Sequence, residues 1–388
     1  MAALDTLPIE LITHVASYLS PQYVKTLSRT NWFMRHAVVG VLFRTLYIPC
    51  PLASTRALEE LIHKYQNFIS RVHLHVYFQP NMEEKPHDGP MPSVWGAAST
   101  DTLKRIVRGD ILSNVSSFVV EFNARNFEHD GWWGETASWS DPNMLGSIVD
   151  NEDNWDQTLQ QETRDYMANA SAWETPEWES FLGRLQVLEI GVFGGEDGDC
   201  WHTKPEFAEF IGNLPHFVMR HARNVRHLTL EASPDGLFGG ASTNYCIPLP
   251  LKEDHFLFLH SLTLKNIMIG PELVEFLTSR VDSFEELELY DCMCDGPDWE
   301  YGSDRELDPV TWAGLWKAIR ESNIRLFKVS VVQSRTPPLM WREGDRKEFE
   351  TIEDSVEAAR IRKMLEEDTL LCRRLEANAE YKAVELAW

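Results

Sequence analysis

Apolar residues recur at helical spacing over residues 4–21, at the start of the chain. The stripe is formed by Leu4, Leu11, Val15 and Leu19, with Ile12 and Tyr18 beside it. Pro8 suits the first position of a helix, which leaves Leu7 where a serine or aspartate cap is usual. The pattern predicts an amphipathic helix in which Leu7 is placed for packing.

Two more short helices are predicted after the first one. Ser20 and Pro21 provide a cap and a first helical position, so a helix is expected over about 21–29. A third helix is expected over about 31–46, and its apolar side would comprise Trp32, Phe33, Val39, Leu42, Phe43 and Leu46. Pro49 and Pro51 would end the unit. Because three short helices bury little apolar surface, the unit must dock on something else.

Four elements of this region together resemble an F-box over about residues 4–47. The elements are Leu7-Pro8-x-Glu10-Leu11-Ile12, Tyr18-Leu19, Leu27-Ser28-Arg29-Thr30-Asn31-x-Phe33 and Leu42-Phe43. The resemblance implies that the helices bind the Skp-type adaptor of a cullin-RING ubiquitin ligase and that the rest of the chain selects a substrate. The implied adaptor-binding residues are Leu7, Pro8, Leu11, Ile12, Leu19, Leu27, Trp32 and Phe33.

Two other interpretations of the helices stay open at this point. They could be an N-terminal cap packed wholly on its own domain. They could also be a helix-turn-helix DNA reader, which the acidic chain disfavours because only Arg29 and Arg35 lie near the presumed recognition element.

Short strand-like runs recur through the body of the chain. They lie at 72–76, 115–122, 185–190, 225–230, 259–264, 284–289 and 324–329. Five share the form apolar-x-x-apolar-x-apolar, and their fourth residues, spaced 40, 34, 25 and 40 apart, are Leu188, Leu228, Leu262, Leu287 and Phe327. Helical stretches are expected between them over 203–220, 271–280 and 309–321.

Strand and helix alternating at these intervals predict a solenoid whose units bury their apolar faces against one another. The strands resemble those of leucine-rich repeats, without the asparagine that follows in regular repeats. The predicted fold is therefore α/β: an N-terminal three-helix F-box-like unit, an irregular leucine-rich-repeat-like solenoid and a C-terminal helix. The alternative is an ordinary α/β domain with a parallel sheet.

Residues 128–200 depart from the repeat, with 17 acidic residues against two basic ones, Arg164 and Arg184. Half of the 14 tryptophans lie in or next to this stretch, and they are Trp132, Trp133, Trp139, Trp155, Trp173, Trp178 and Trp201. We predict an insertion over about 128–184 that packs at least partly on the solenoid. Exposed tryptophan beside carboxylates suits a basic peptide, and the candidate substrate-binding residues are Trp132, Trp133, Trp139 and Trp155. Alternatively, the tryptophans only anchor a long loop.

Residues 345–388 contain no glycine or proline and are rich in helix-forming residues, which predicts one or two long helices. The predicted apolar stripe consists of Phe349, Ile352, Val356 and Ala359. Such a helix would cap the open end of the solenoid. The predicted domains are thus an F-box-like unit at 1–50, a repeat domain at 51–340 with the insertion, and a helical segment at 341–388.

Composition restricts the classes of partner. The 60 acidic and 36 basic residues give a formal charge of −24, which repels nucleic acid and anionic membrane and favours a basic partner protein. The start of the chain lacks the features of a signal peptide, and no window reaches the length of a membrane span. The six scattered cysteines are typical of free thiols in a reducing compartment. We expect a cytoplasmic or nuclear protein.

Motifs for chemistry are scarce, so we expect a protein that is not an enzyme and has no cofactor or metal. Cys292 and Cys294 lack the spacing of a zinc site, and the 194–199 turn lacks that of a calcium loop. His73 and His75 alternate along a strand, and only one of them is expected to face the core.

The predicted function is substrate recognition in a Skp, cullin and F-box ubiquitin ligase, through an adaptor and its cullin. The alternatives are an enzyme such as a hydrolase, with a site between the insertion and the sheet, and an F-box scaffold outside the ligase. The substrate, its recognition signal and the oligomeric state are not determined by the sequence.

Overall fold

The computed structural model is a mixed α/β structure built on one large parallel sheet. It describes residues 7–50, 55–77, 105–106, 111–123, 176–193, 214–233, 238–239, 248–280, 283–294, 310–334, 339–341 and 355–386. Within these ranges there are eight α-helices, an eight-stranded sheet and a three-stranded sheet. The α/β class predicted from the sequence is confirmed.

Three short helices form the N-terminal unit: α1 (Ile9–Ser17), α2 (Pro21–Ser28) and α3 (Trp32–Leu42). Pro8 is the cap of α1 and not its first residue, and Asn31 caps α3 by accepting a hydrogen bond from the Met34 N–H at 2.8 Å. The unit has its own small core, which consists of Ile12, Ala16, Val24, Met34, Ala37 and Val38. The prediction that the third helix reaches residue 46 was wrong, because Leu46 belongs to the first strand.

Eight strands form the main sheet, and every neighbouring pair is parallel. They are β1 (Thr45–Cys50), β2 (Arg71–Tyr77), β3 (Ser117–Asn123), β4 (Val187–Phe193), β5 (His227–Ala232), β6 (Ser261–Lys265), β8 (Glu286–Tyr290) and β10 (Lys328–Val332). They lie side by side in chain order without a reversal. All seven predicted strand-like runs overlap observed strands.

The strand register aligns apolar residues in rows across the sheet. Leu188 pairs with Leu228, Leu228 with Leu262, and Leu262 with Leu287, as the predicted repeat requires. The last step of the predicted alignment was wrong, since Leu287 pairs with Val329 and Phe327 precedes β10. In β2 to β6 and in β8, the residues of this row are buried because the row faces the main core.

Four further helices are α4 (Thr55–Tyr65), α5 (Pro176–Gly183), α6 (Pro271–Thr278) and α7 (Trp312–Glu321). Each contributes side chains to the same core as the buried rows of the sheet, as Ile62, Phe181, Phe276 and Trp316 illustrate. A short π-helical turn, Pro215–Met219, contributes Val218 and Met219. One face of the sheet is therefore covered by helices, and its strands alternate between buried apolar and partly exposed residues.

The end of the predicted insertion takes part in this core. Trp178 of α5 is buried, and its ring stacks on that of Phe181 at 5.8 Å between centroids. Residues 176–183 thus form an ordinary helix before β4. The rest of the predicted insertion lies outside the described residues, and so do the predicted turn at 194–199 and most of the predicted helix at 203–220.

A second sheet follows the carboxyl ends of the last strands. It consists of β7 (Met268–Ile269), β9 (Met293–Cys294) and β11 (Met340–Trp341), all parallel. The turns into β7 and β9 place Asn266 and Asp291 at positive φ, 54° and 49°. Asn266 donates to the Ala232 carbonyl at 3.0 Å, and the Cys292 thiol donates to the Leu264 carbonyl at 3.4 Å. Each of these turns is therefore tied to the preceding strand.

The last helix, α8 (Ser355–Leu386), packs against α7 and the edge strand β10. This confirms a long C-terminal helix, but the predicted stripe was wrong at Ala359, which is exposed. The residues that α8 directs inward are Ile361, Asp368, Cys372 and Ala379, with Leu365, Leu371 and Leu375 half-buried beside them. Phe349 and Ile352 lie outside the described residues.

A buried aspartate fixes α8 to α7, which leads to a prediction. Asp368 Oδ1 accepts a hydrogen bond from the Ala313 N–H in the first turn of α7, at 2.8 Å. Asp368→Ala should lower the free energy of unfolding by about 1–2 kcal/mol, because the N–H would lose its partner in a buried place. Urea denaturation measures the change. Glu367→Ala is the control: its ion pair with Lys317 is half-exposed, and we expect a loss below about 1 kcal/mol. Equal losses in both variants would contradict the prediction.

Candidate functional site

The helix α1 is apolar on two sides, and only one of them faces the interior. Ile12 and Ala16 are 4% and 0% exposed and lie in the core of the helical unit. On the other side, Leu11 and Val15 are 50% and 56% exposed. An apolar helix surface in contact with water is unfavourable, and α1 presents such a surface on the side away from the core.

Further large apolar side chains of the same unit are exposed. They are Leu7, Tyr18 and Leu19 around α1, Tyr23 on α2, and Trp32 at the start of α3. The Trp32 ring is 76% exposed and stacks on the His36 ring at 5.5 Å. We name Leu7, Leu11, Val15, Tyr18, Leu19 and Trp32 the exposed apolar set.

The predicted adaptor residues divide into three groups in the structure. Leu7, Pro8, Leu11, Leu19 and Trp32 are exposed and available to a partner. Leu27 and Phe33 are half-buried against the helical core. Ile12 is a core residue, so its assignment to the adaptor-facing surface is corrected: its role is to hold the three helices together.

The sequence reasoning missed Val15 and Tyr18 as surface residues. Val15 belongs to the predicted apolar stripe with Leu11, but the side of the helix that faces inward is that of Ile12 and Ala16. The spacing of Ile9, Ile12 and Ala16 was a signal for this second apolar side. The predicted substrate-binding residues Trp132, Trp133, Trp139 and Trp155 lie outside the described residues.

The face of the sheet opposite the helices is polar and partly exposed, and it forms a second candidate surface. Arg71 of β2 pairs with Glu189 of β4 at 2.8 Å, across the strand between them. Lys265 of β6 pairs with Glu231 of β5 at 2.8 Å. We name this surface the polar face.

His73 and His75 both lie on the polar face, and the prediction that only one of them faces the core is replaced by this finding. Residues two apart share a face of a strand, which the sequence reasoning overlooked. Glu121 of β3 lies next to both: its Oε1 is 3.0 Å from His73 Nε2, and its Oε2 is 3.6 Å from His75 Nε2. Burial lowers the pKa of His75, with Glu121 opposing this effect and His73 adding to it.

Near the far end of the polar face, a carboxylate is held by a lysine. Glu288 of β8 accepts hydrogen bonds from Lys328 of β10 and from the Tyr290 hydroxyl. The hydrogen bond from Lys328 is the main reason why the pKa of Glu288 is lowered, so this carboxylate stays ionised and paired.

Neither surface carries a recognisable centre for metal chemistry. No group of three His, Cys, Asp or Glu side chains with the geometry to hold a metal ion occurs in the part of the chain that the structure describes. Cys292 and Cys294 are buried, and burial raises the pKa of the Cys292 thiol to about 12. Cys292 is therefore protonated and unreactive as a nucleophile.

Comparison with known proteins adds no assignment. The chain matches no protein-family model and no curated protein. Across the described helices, none combines the length and the apolar character that crossing a membrane requires.

Proposed function

We propose that the protein is a substrate-recognition subunit of a Skp, cullin and F-box ubiquitin ligase. The observation that carries the proposal is the small helical unit with its own core, whose α1 leaves Leu11 and Val15 exposed. A unit of this size gains stability from a partner that covers such a surface. The resemblance to an F-box implies that this partner is a Skp-type adaptor.

The sheet supports the other half of the proposal, a leucine-rich-repeat-like solenoid that holds a substrate. Its strands follow chain order, whereas doubly wound α/β sheets reverse their order at a switch point. One face is covered by helices and the other is polar, as in a solenoid with an exposed binding surface. The repeated turns at Asn266 and Asp291 fit successive repeats of one kind.

The test is co-expression of the full chain with a Skp-type adaptor, followed by size-exclusion chromatography. The proposal expects a stoichiometric complex that withstands dilution to micromolar concentration. A folded chain that elutes alone at every adaptor concentration would refute it, and the helices would then be a cap of their own domain.

Addition of the matching cullin distinguishes a ligase subunit from an F-box scaffold outside the ligase. A ternary complex of chain, adaptor and cullin is expected. A stable binary complex that excludes the cullin would favour the scaffold.

A further inference from the structure

One carboxylate of the polar face differs from the others in its neighbours. Glu121 and Glu231 lie in the same row, on the two sides of Gly191, as the strand register shows. Glu231 is neutralised by Lys265 at 2.8 Å, whereas the ion pairs of Glu121 within the described residues are with the imidazoles of His73 and His75. An imidazole is a weaker counter-ion than a lysine ammonium group, so the carboxylate of Glu121 is less fully compensated than that of Glu231.

Aromatic rings line one side of Glu121. The Tyr47 ring of β1 lies 5.0 Å from the His73 ring, and the His73 ring lies 6.2 Å from the His75 ring, nearly parallel to it. Tyr47 is 62% exposed, so the outer end of this row is open to solvent. The three rings form a continuous aromatic row that ends at the carboxylate.

A fourth ring lies on the other side of Glu121. A Cβ atom placed on Gly191 would lie 2.8 Å from the Phe193 ring and 3.3 Å from Glu121 Cγ. The Phe193 ring therefore lies over Gly191, next to the Glu121 side chain. A side chain at this position would have to displace the tip of the Phe193 ring or the Glu121 side chain. We name Tyr47, His73, His75, Glu121 and Phe193 the aromatic carboxylate cluster.

The charges around the cluster favour a cation. Arg71 of β2 and Glu189 of β4 lie on the same polar face, and they neutralise each other at 2.8 Å. The low pKa of His75, caused by burial, keeps that ring uncharged near neutral pH. The formal charge of −24 on the whole chain adds a long-range attraction for a basic partner.

We propose that the aromatic carboxylate cluster binds an arginine side chain of a basic peptide segment in the substrate protein. A guanidinium group is planar, stacks on aromatic faces and donates paired hydrogen bonds to a carboxylate. The cluster offers both of the groups that a guanidinium recognises, namely aromatic faces and a carboxylate. This inference rests on the proposed function, because it names the substrate class of the same receptor.

The test measures binding of a fluorescein-labelled Gly-Ser peptide with two arginines to the purified full chain by fluorescence anisotropy. The control peptide carries citrulline, a neutral isostere, in place of arginine. We expect binding of the arginine peptide, weakened by salt, and roughly tenfold weaker binding of the citrulline peptide. Equal binding of the two peptides would overturn the proposal.

Two carboxylate variants separate the cluster from the general acidity of the chain. Glu121→Gln should weaken binding of the arginine peptide roughly tenfold. Glu231→Gln, in the same row but already neutralised by Lys265, should change it less than about twofold. Equal losses in both variants, or none in either, would overturn the proposal. Tyr47→Ala gives an independent check at an exposed residue and should weaken binding several-fold.

Acid should also weaken binding. As the pH falls below the usual imidazole range, His75, whose pKa is lowered by burial, gains a proton and competes with the guanidinium for Glu121. Tighter binding at the lower pH would contradict the inference.

Adaptor binding is measured on the same preparation of the wild-type chain. A chain that binds the arginine peptide but not the adaptor would count against the proposed function. A chain that binds the adaptor but not the arginine peptide would count against this inference alone.

Discussion

Leu262→Ala should lower the free energy of unfolding by about 2–5 kcal/mol, one of the two largest effects expected in this chain. Leu262 is 0% exposed and lies in the middle of the buried row, between Leu228 and Leu287. Truncation removes apolar contacts on both sides and leaves a cavity that the flanking strands cannot easily fill. Urea denaturation followed by circular dichroism measures the loss.

Thr263→Ala is the matched control for this prediction. Thr263 is the next residue of the same strand but lies on the polar face, half-exposed between Thr229 and Glu288. A loss below about 1 kcal/mol is expected. If both variants lost similar stability, the assignment of the two faces of the sheet would be wrong.

The strands could be predicted from the sequence because leucines at every second position leave little freedom of register. Leu188, Leu228, Leu262 and Leu287 are aligned in the sheet as their spacing predicted. The alignment failed at Phe327 because the segment before β10 buries Ile324 and Leu326 outside the sheet, which moves the strand forward by two residues. Local pattern cannot separate a buried approach segment from the strand itself.

The candidate site was harder to predict, for different physical reasons. Apolar spacing showed that α1 is amphipathic, but both of its apolar sides satisfy helical periodicity, so the choice between Ile12 and Leu11 as the buried residue depends on packing with α3. The aromatic carboxylate cluster joins residues of four strands, from Tyr47 to Phe193. Only the sheet register brings them together, and no local motif marks them.

Replacing exposed residues of the helical unit should abolish adaptor binding without unfolding the protein. In the triple variant Leu7→Ala, Leu11→Ala, Trp32→Ala we expect the dissociation constant for the Skp-type adaptor to rise at least about a hundredfold. Each truncation of an interface anchor costs about 1–2 kcal/mol, and every 1.4 kcal/mol is tenfold. Since the three side chains are exposed in the free chain, the free energy of unfolding should change by less than about 1 kcal/mol. Isothermal titration calorimetry and urea denaturation measure the two quantities.

Ile12→Ala separates a surface role from a structural one. Ile12 is one position from Leu11 but lies in the core of the helical unit, so its truncation should cost about 2–4 kcal/mol of stability. Adaptor binding would then fall only as far as the helices unfold, and saturating adaptor would restore the helical unit by mass action. The same adaptor concentration would not restore binding of the triple variant, because its fold is intact and only its contacts with the adaptor are missing.

If the triple variant bound as tightly as the wild type, the exposed apolar set would not be the adaptor surface. If it unfolded like Ile12→Ala, Leu7, Leu11 and Trp32 would pack on the protein itself, and the helices would be its cap.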